Sequence, residues 1–340
     1  MPSPGVAAVG RPSQPSHSRR PGIRPAADAL GRGMKAITYS SYGDPSVLTL
    51  TELPDPKVGP GEVRIAVRAA SVNPVDWKIM AGYLDSLMTV TFPVVPGWDV
   101  AGVVEAVGPD TPEFQVGDEV MAYGRRDWVQ AGSFAEKMTL PARTLARKPA
   151  GIGFEQAASI PLAGLTAYQT LTRLGVTKGS TVLVHGANGG VGSFAVQIAA
   201  GLGARVIGTA SERNHDRVRE LGAEPVAYGE GLPERVRALA PEGVDVVVDY
   251  VGDVLEQTLA VLAEGGRHGS IADPAVLAQG GEYFWVRPDA ADLDHLAGLV
   301  DAGTLRVDVD RSFPLEQAAD AFRASMEGHT SGKIALTIGG

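Results

Sequence analysis

The sequence predicts an α/β protein in which a doubly wound parallel sheet is joined to a second, β-rich domain. Strand-like and helix-like segments alternate after Phe154, which is the pattern of parallel βα units. A glycine-rich turn within residues 181–200 lies between an apolar strand and a helix. Short strands fill residues 34–150, and a length of 340 residues favours two domains.

Composition excludes several classes of function. The chain has 44% hydrophobic and 20% charged residues, which is typical of a soluble globular protein. A formal charge of −9 argues against a nucleic-acid-binding surface. No apolar run approaches the roughly 18 residues that a membrane span needs. The sequence has no cysteine, which excludes disulfides, cysteine-ligated zinc and thiol nucleophiles.

The first segment, Met1 to Gly33, is predicted to be a disordered tail. It is rich in Pro, Ser, Gly and Arg, has no apolar periodicity and carries five arginines against one acid. Such a composition resembles an organellar transit peptide but lacks amphipathic spacing, and no apolar region follows as in a secretory signal. We expect the fold to start at Met34 in a cytoplasmic protein, with a targeting signal or a misassigned start as alternatives.

The β-rich part begins with alternating sequences. Apolar residues at every second position of residues 63–69 predict a half-buried strand, entered through the turn Pro60-Gly61. Val100 to Val107 predicts another strand, and Val120 to Tyr123 follows a turn as a further one.

The second part is predicted to alternate between helix and strand. Glu155 to Leu174 is helical in composition, with an interruption expected at Pro161. Strands are predicted at residues 181–184, 205–209, 225–228, 244–251, 267–271, 282–286, 305–309 and 333–338. Helices are predicted at residues 191–201, 213–221, 292–301 and 315–326.

The segment TVLVHGANGGVGSFAVQIAA, residues 181–200, predicts a dinucleotide site. Small residues let the backbone approach a pyrophosphate, whose charge then lies at the N-terminus of the following helix. A plain tight turn is the alternative, but both the preceding strand and the following helix are predicted here. We expect cofactor contacts from the whole turn: Gly186, Ala187, Asn188, Gly189, Gly190, Val191 and Gly192.

The end of the next strand favours NADP(H) over NAD. An acidic residue about 20 positions after the turn would bind a ribose 2′-hydroxyl, but Ser211 and Arg213 occupy this region. A hydroxyl and a guanidinium suit a 2′-phosphate. Two alternatives oppose the preference for NADP(H). Glu212 could point inward, and Ser211 could simply cap the next helix.

These segments resemble the zinc-independent quinone oxidoreductase branch of the medium-chain dehydrogenase/reductase superfamily. The resemblance extends from Met34 to the C-terminus and rests on several segments in family order: MKAITYSSYG, GEVRIAVRAASVNPVDWKIMAG, FPVVPGWDVAGVVEAVG, FEQAASIPLAGLTAYQTL, HGANGGVG, VVVDYVG and GHTSGKIAL. Zinc-dependent members carry a Gly-His-Glu motif, which is similar in place to Gly97-Trp98-Asp99 here. We therefore expect no metal site.

The resemblance implies a domain organisation and further cofactor contacts. It places a GroES-like catalytic domain at residues 34–159 and 302–340, and a Rossmann dinucleotide-binding domain at residues 160–301. It implies that Tyr228 contacts the adenosine phosphate, and that Val251, Ser270 and Ile271 lie near the nicotinamide. It also implies a homodimer.

The loop NPVDWK supplies the candidate catalytic residues. Asn73 precedes a proline, so we expect an extended backbone, and its amide could orient the nicotinamide ribose or the substrate carbonyl; a turn-forming Asn is the alternative. By resemblance, Lys78 and Tyr83 lie near the substrate. The alternatives are an exposed lysine paired with a carboxylate for Lys78 and a simply packed aromatic residue for Tyr83. Lys333 resembles a position near the cofactor, with a plain strand-entry Lys as the alternative.

The sequence thus predicts NADPH-dependent hydride transfer to a small carbonyl or quinone substrate. Two alternatives are an enoyl reductase of a biosynthetic pathway, for example a polyketide pathway, and a non-catalytic NADPH-binding sensor or structural protein, because a fold does not determine a function.

Overall fold

A computed structural model describes residues 33–328 and 330–339. The predicted tail therefore lies, apart from Gly33, outside the described residues. The strands and helices before residue 180 are β1 (Met34–Thr38), β2 (Thr49–Leu53), β3 (Glu62–Val72), α1 (Pro74–Met80), β4 (Val90–Val95), β5 (Asp99–Val107), β6 (Glu119–Tyr123), β7 (Val129–Ala131), β8 (Lys137–Pro141), β9 (Leu145–Arg147), α2 (Phe154–Ala158) and α3 (Pro161–Arg173).

After residue 180 strands and helices alternate, as predicted. They are β10 (Thr181–His185), α4 (Gly192–Gly201), β11 (Arg205–Ala210), α5 (His215–Leu221), β12 (Glu224–Ala227), α6 (Leu232–Leu239), β13 (Val244–Asp249), α7 (Leu255–Val261), β14 (Leu262–Ser270), β15 (Glu282–Tyr283), α8 (Ala290–Asp301), β16 (Val309–Pro314), α9 (Ala318–Glu327) and β17 (Lys333–Thr337). No helix among the described residues is long and apolar enough to span a membrane.

The alternating second part forms a six-stranded parallel sheet with the order β12-β11-β10-β13-β14-β15. Strand order reverses between β10 and β13, which lie side by side in the middle of this sheet. At such a reversal the loops that follow the two strands diverge, and their carboxyl ends border a crevice. The predicted α/β class with a doubly wound parallel sheet is confirmed.

The other large sheet has seven strands and combines both ends of the chain. Its order is β16-β17-β3-β5-β6-β9, and β8 pairs with β3 in addition. β17 runs antiparallel to β3 with Leu336 opposite Ala70. The C-terminal strands thus belong to the sheet of the N-terminal part. The precise domain limits that the sequence predicts stay a prediction.

The prediction of a strand at residues 305–309 was wrong, because β16 begins only at Val309. Leu305 and Val307 are buried, which explains the strand-like pattern. Their backbone does not pair with a strand, since the Gln197 side chain donates to the Arg306 carbonyl at 3.1 Å and accepts from the Arg306 N–H at 2.8 Å. A side-chain amide on α4 has taken the place of a neighbouring strand.

Two further differences concern helices. The helix predicted from Arg213 starts with a 3₁₀ turn, Glu212–Asn214, and becomes α-helical only at His215. The helices α1, α6 and α7 were not predicted, and the expectation of a loop at NPVDWK was wrong, because α1 begins at Pro74 with Asn73 as its N-cap. The interruption expected at Pro161 is confirmed, since α2 ends at Ala158 and α3 begins at Pro161 itself.

The position of β17 leads to a test of stability. Leu336 is fully buried in the sheet and Thr337, next to it, is exposed. We expect Leu336→Ala to lower the free energy of unfolding by about 2–5 kcal/mol, the cost of a core cavity, while Thr337→Ala changes it by less than about 1 kcal/mol. Urea denaturation followed by circular dichroism measures both. Equal effects would contradict the placement of β17 in the core.

Candidate functional site

The glycine-rich turn has the geometry of a phosphate-binding turn. β10 ends at His185, and Gly186 takes a φ of +76°, which favours glycine. The turn is fastened to β11, because the Gly186 N–H donates to Thr209 Oγ1 and the Ala187 N–H to the Thr209 carbonyl, both at 3.0 Å. Helix α4 then begins at Gly192, so its N-terminus faces the turn.

At two glycine positions of the turn a side chain would collide with neighbouring atoms. A Cβ on Gly192 would lie 2.0 Å from the carbonyl oxygen of Gly186, and one on Gly186 would lie 2.6 Å from Val251 Cγ1. The bare backbone and the N-terminus of a ten-residue helix are the donors that a pyrophosphate requires. These residues therefore fit a dinucleotide.

A cleft of about 460 Å³ opens beside the turn at the carboxyl ends of β10, β11 and β13. It brings together six residues that the sequence predicted for cofactor binding, namely Gly186, Asn188, Ser211, Arg213, Tyr228 and Val251. Among the residues that the sequence did not single out, Asn214, Asp253 and Gln257 also line it. The cleft is thus the place where a dinucleotide would extend from the phosphate turn.

The end of β11 places the three candidate residues differently relative to the cleft. Ser211 and Arg213 line the cleft, whereas Glu212 is exposed and is not among the lining residues. Ser211 occupies the cap position of the 3₁₀ turn but makes no capping hydrogen bond with its side chain. Its Oγ accepts from Asn214 Nδ2 at 3.0 Å, so the hydroxyl proton is available to a ligand.

Ser270 is the last residue of β14 and Ile271 follows it, and neither is among the residues that line the cleft. The Ser270 hydroxyl is buried and donates to Asp249 Oδ2 at 2.7 Å, and it accepts from the N–H groups of Ala272 and Asp273. Ile271 is half-buried and donates its N–H to the Asp249 carbonyl at 3.1 Å. The side chain of Ser270 therefore organises the loop after β14 through hydrogen bonds within the protein.

Asp249 is a residue that the sequence analysis missed. Asp249 is the last residue of β13. Its Oδ1 accepts from the N–H groups of Val251 and Gly252 at 2.8 and 2.9 Å, and its Oδ2 accepts from the Ser270 hydroxyl. This carboxylate thereby ties together the loops after β13 and β14. A buried acid at the end of the apolar run Val244–Tyr250 was the available sequence signal.

His185, at the end of β10, lies in the wall of the cleft with its side chain buried. Burial lowers the pKa of His185 to about 4, so the imidazole is neutral at physiological pH. Its Nε2 lies 3.2 Å from Thr258 Oγ1 on α7. The imidazole is thus a neutral, buried group held against α7.

A buried polar cluster, formed by Asn73, Asp76, Asp99 and Lys333, lies next to the phosphate turn. Asn73 is 2% exposed and Lys333 is 5% exposed. The Lys333 ammonium donates to the side-chain oxygen of Asn73 and to the Val72 carbonyl. The Asn73 amide group donates to Asp99 Oδ2 at 2.8 Å, and the Asn73 backbone N–H donates to Asp76 Oδ2 at 2.7 Å.

Burial sets the charges of this cluster. Burial raises the pKa of Asp76 to about 8, and it raises the pKa of Asp99 to about 6, opposed there by the Lys333 ammonium and the hydrogen bonds from Asn73 and Leu162. Burial lowers the pKa of Lys333 against the attraction of both carboxyl groups. At neutral pH Asp99 is therefore the ionised carboxylate of the cluster and Asp76 is protonated, beside the Lys333 side chain.

Lys78 and Tyr83 lie apart from this cluster. Lys78 is exposed on α1, and its ammonium is 5.7 Å from the centroid of the Trp77 ring. Tyr83 follows the helix and is 71% exposed. Asn73 itself has the extended backbone that its proline neighbour predicts, with φ −124° and ψ 149°. The structure thus brings Asn73 and Lys333 together and leaves the other two candidates at the surface.

The described residues contain no group of three or more His, Cys, Asp or Glu side chains that could hold a metal ion. In the motif Gly97-Trp98-Asp99 the acid is already engaged, because Asp99 Oδ1 accepts from the Leu162 N–H at 2.8 Å and Oδ2 from Asn73.

Comparison with known proteins identifies the family. Residues 59–150 match the family "Alcohol dehydrogenase GroES-like domain", and residues 221–336 match "Zinc-binding dehydrogenase". The chloroplast envelope quinone oxidoreductase homolog of Arabidopsis thaliana is 32% identical, over 89% of this chain and 98% of that protein. The chain belongs to the quinone oxidoreductase branch of the medium-chain dehydrogenase/reductase superfamily.

Two other members are similar over most of their length. The chloroplastic NADPH-dependent alkenal/one oxidoreductase of Arabidopsis thaliana is 35% identical, over 95% of this chain and 85% of that protein. The solved structure of the quinone oxidoreductase from Coxiella burnetii is 33% identical, covers 91% of this chain and all of its own, and superposes with a TM-score of 0.80. The family resemblance and the two-part fold that the sequence predicted are confirmed.

The protonated state of Asp76 predicts how stability changes with pH. Its pKa is about 8 in the fold against an ordinary 3.8, so its contribution to stability is complete below about pH 4 and is lost as the pH rises towards 8. In Asp76→Asn the amide oxygen can still accept from Asn73, without the ionisation. We expect the Tm of this variant, relative to wild type, to increase steadily between pH 5 and pH 8.

The control is Asp216→Asn, which changes an exposed carboxylate on α5 that pairs with Arg219. Its Tm difference from wild type should stay constant over the same pH range. Differential scanning calorimetry measures both series, and a flat Asp76→Asn difference would show that Asp76 ionises normally in the fold.

Proposed function

We propose that this chain is an NADPH-dependent oxidoreductase that transfers hydride to a quinone or an α,β-unsaturated carbonyl without zinc. The observation that carries this proposal is the cleft beside the phosphate turn, where Ser211 and Arg213 line the place for a ribose 2′-phosphate and Glu212 does not. The names of the relatives support it, since they include quinone oxidoreductases and an NADPH-dependent alkenal/one oxidoreductase.

When bound, NADPH supplies the hydride, and the protein contributes position and electrostatics. In this proposal the turn from Gly186 to Gly192 holds the pyrophosphate, and Ser211 with Arg213 binds the 2′-phosphate. Val251 and the backbone after Ser270 border the nicotinamide. The buried Asn73–Lys333 pair lies beside the turn, so in this proposal it supplies hydrogen-bond donors to the reacting centre.

Charge that develops on the acceptor oxygen has to be stabilised by donors, which contribute about 3 kcal/mol each when they are well placed. The second amide hydrogen of Asn73 is a donor that is not fully used, because its other acceptor within reach, the Ser71 carbonyl, is 3.5 Å away. Lys78 and Tyr83 are exposed. In this proposal they donate to the acceptor oxygen only if substrate binding covers them.

Several predicted features belong to the same proposal. They are the domain limits 34–159 with 302–340 and 160–301, a homodimer and a cytoplasmic location. Relatives with chloroplast or mitochondrial in their names make the location worth testing separately.

The function itself is tested by NADPH oxidation with a panel of quinones, enones and acyl thioesters. We expect turnover with quinones or enones, at a kcat/KM at least about tenfold above that for the thioesters. Preference for thioesters would favour an enoyl reductase, and binding of NADPH without oxidation by any acceptor would favour the non-catalytic alternative. Either result would contradict the proposed activity.

Cofactor choice is tested with Arg213→Gln. A hydrogen bond between charged groups is worth about 1.5–3 kcal/mol, so we expect kcat/KM for NADPH to fall about 10- to 100-fold and that for NADH to change less than about threefold. Arg219→Gln on α5 is a matched control, because this exposed arginine pairs with Asp216 and does not line the cleft. Equal losses with both cofactors would refute a 2′-phosphate contact.

A further inference from the structure

Asp99 is a fully buried carboxylate with three partners from three separate parts of the chain. Its Oδ1 accepts from the Leu162 N–H, at the first turn of α3, at 2.8 Å. Its Oδ2 accepts from Asn73 Nδ2 at 2.8 Å and lies 4.0 Å from the Lys333 ammonium. One side chain thus joins the loop before α1, the start of α3 and the beginning of β17.

Lys333 connects this carboxylate to the phosphate turn. A Cβ on Gly190 would lie 3.1 Å from Lys333 Cδ, so the aliphatic stem of the lysine packs directly against the turn. The ammonium group of the same side chain donates a hydrogen bond to the side-chain oxygen of Asn73. Lys333 therefore spans from the turn to the candidate substrate loop, and Asp99 supplies the buried counter-charge that its ammonium requires.

The contact with Leu162 adds a second link to the same part of the molecule. Helix α3 begins with Pro161, and the residue before it, Ile160, has no side-chain oxygen for a cap. Asp99, on β5, provides this acceptor. The helix dipole favours a negative charge at the N-terminus of α3. α3 packs on α4, the helix that starts at the phosphate turn.

We propose that Asp99 is a positioning residue for hydride transfer, which sets the distance and angle between the Asn73 loop and the phosphate turn. The proposal rests on the proposed function, and Asp99 acts through Asn73, Lys333 and α3 without touching cofactor or substrate. Reacting atoms have to be held at about 3–3.5 Å, and an error of 1 Å costs about 100-fold in rate. A carboxylate that contacts the Asn73 side chain, the start of α3 and the lysine packed on the phosphate turn controls this distance.

Asp99→Asn is the informative variant. The new amide oxygen can still accept from Leu162, but the amide nitrogen then faces the amide nitrogen of Asn73, and two donors oppose each other. If Asn73 rotates, its nitrogen faces the Lys333 ammonium instead. Either arrangement releases the Asn73 loop while the backbone of the phosphate turn stays intact.

We expect kcat of Asp99→Asn, per NADPH-binding site, to fall about 10- to 100-fold, and the Kd for NADPH to change less than about threefold. The primary isotope effect with NADPH deuterated at the transferred position should increase, because the hydride step becomes slower than product release. Independently of activity, amide hydrogen exchange should become faster in residues 73–80 and 162–166 and stay unchanged in residues 232–239 of α6.

A merely structural role gives a different result. It would lower Tm and the fraction of molecules that bind NADPH, but leave kcat per binding site and the isotope effect at their wild-type values. Those two unchanged values, or an exchange rate in residues 73–80 equal to that of wild type, would overturn the proposal.

A comparison of the double variant with Lys333→Met covers the case that Asp99→Asn does not fold. Asp99→Asn with Lys333→Met removes both buried charges together, and the methionine keeps an unbranched stem against Gly190. If the two residues act through one link, the loss of kcat in the double variant stays within about threefold of the loss in Lys333→Met alone. A further loss of about tenfold in the double variant would show independent roles and refute the link.

The wild-type chain separates the two proposals. A wild type that oxidises no NADPH with any quinone, enone or thioester would end both of them. An active wild type whose variants keep its kcat per site would end only the proposal for Asp99.

Discussion

The arrangement of the site depends on one constraint, which is that a buried ammonium must be surrounded by oxygen atoms. Lys333 lies in the interior with the Val72 carbonyl, the Asn73 amide oxygen and the Asp99 carboxylate around its Nζ. An unpaired charge there would cost several kcal/mol, so these partners have to stay in place for the fold to persist. Since the same lysine packs on Gly190, the constraint also sets where the glycine-rich turn lies against β3 and β17.

This cluster includes the acid of Gly97-Trp98-Asp99 in a chain that has no cysteine, although residues 221–336 match a family of zinc-binding dehydrogenases. The acid of Gly97-Trp98-Asp99 has both oxygens engaged, with Leu162 and Asn73, and its nearest cation is an ammonium. Lys333 supplies a single positive charge on a flexible stem. This charge belongs to a side chain of the protein and not to a bound ion.

The sequence predicted the fold class and most strands, because apolar periodicity and turn residues are local signals. It also located the glycine-rich turn between β10 and α4, since Gly186, Gly189 and Gly192 have a spacing with a known geometry. Asp249 and Asp99 were missed as organising residues, because their partners are distant in the chain. The strand expected near Leu305 was wrong for a related reason: burial is visible in the pattern, but the side chain of Gln197 that satisfies the backbone is not.

The pairing of β17 with β3 has a consequence for biosynthesis. Ser71 on β3 donates to the carbonyl of Ile334, which lies 263 residues later in the chain. During translation the parallel sheet from β10 to β15 is therefore synthesised, and is able to pair its strands, before the seven-stranded sheet has received its C-terminal strands. Until then the part of β3 from Ala69 to Val72 lacks its partner β17, so this stretch is exposed to wrong strand pairing until β17 has been synthesised.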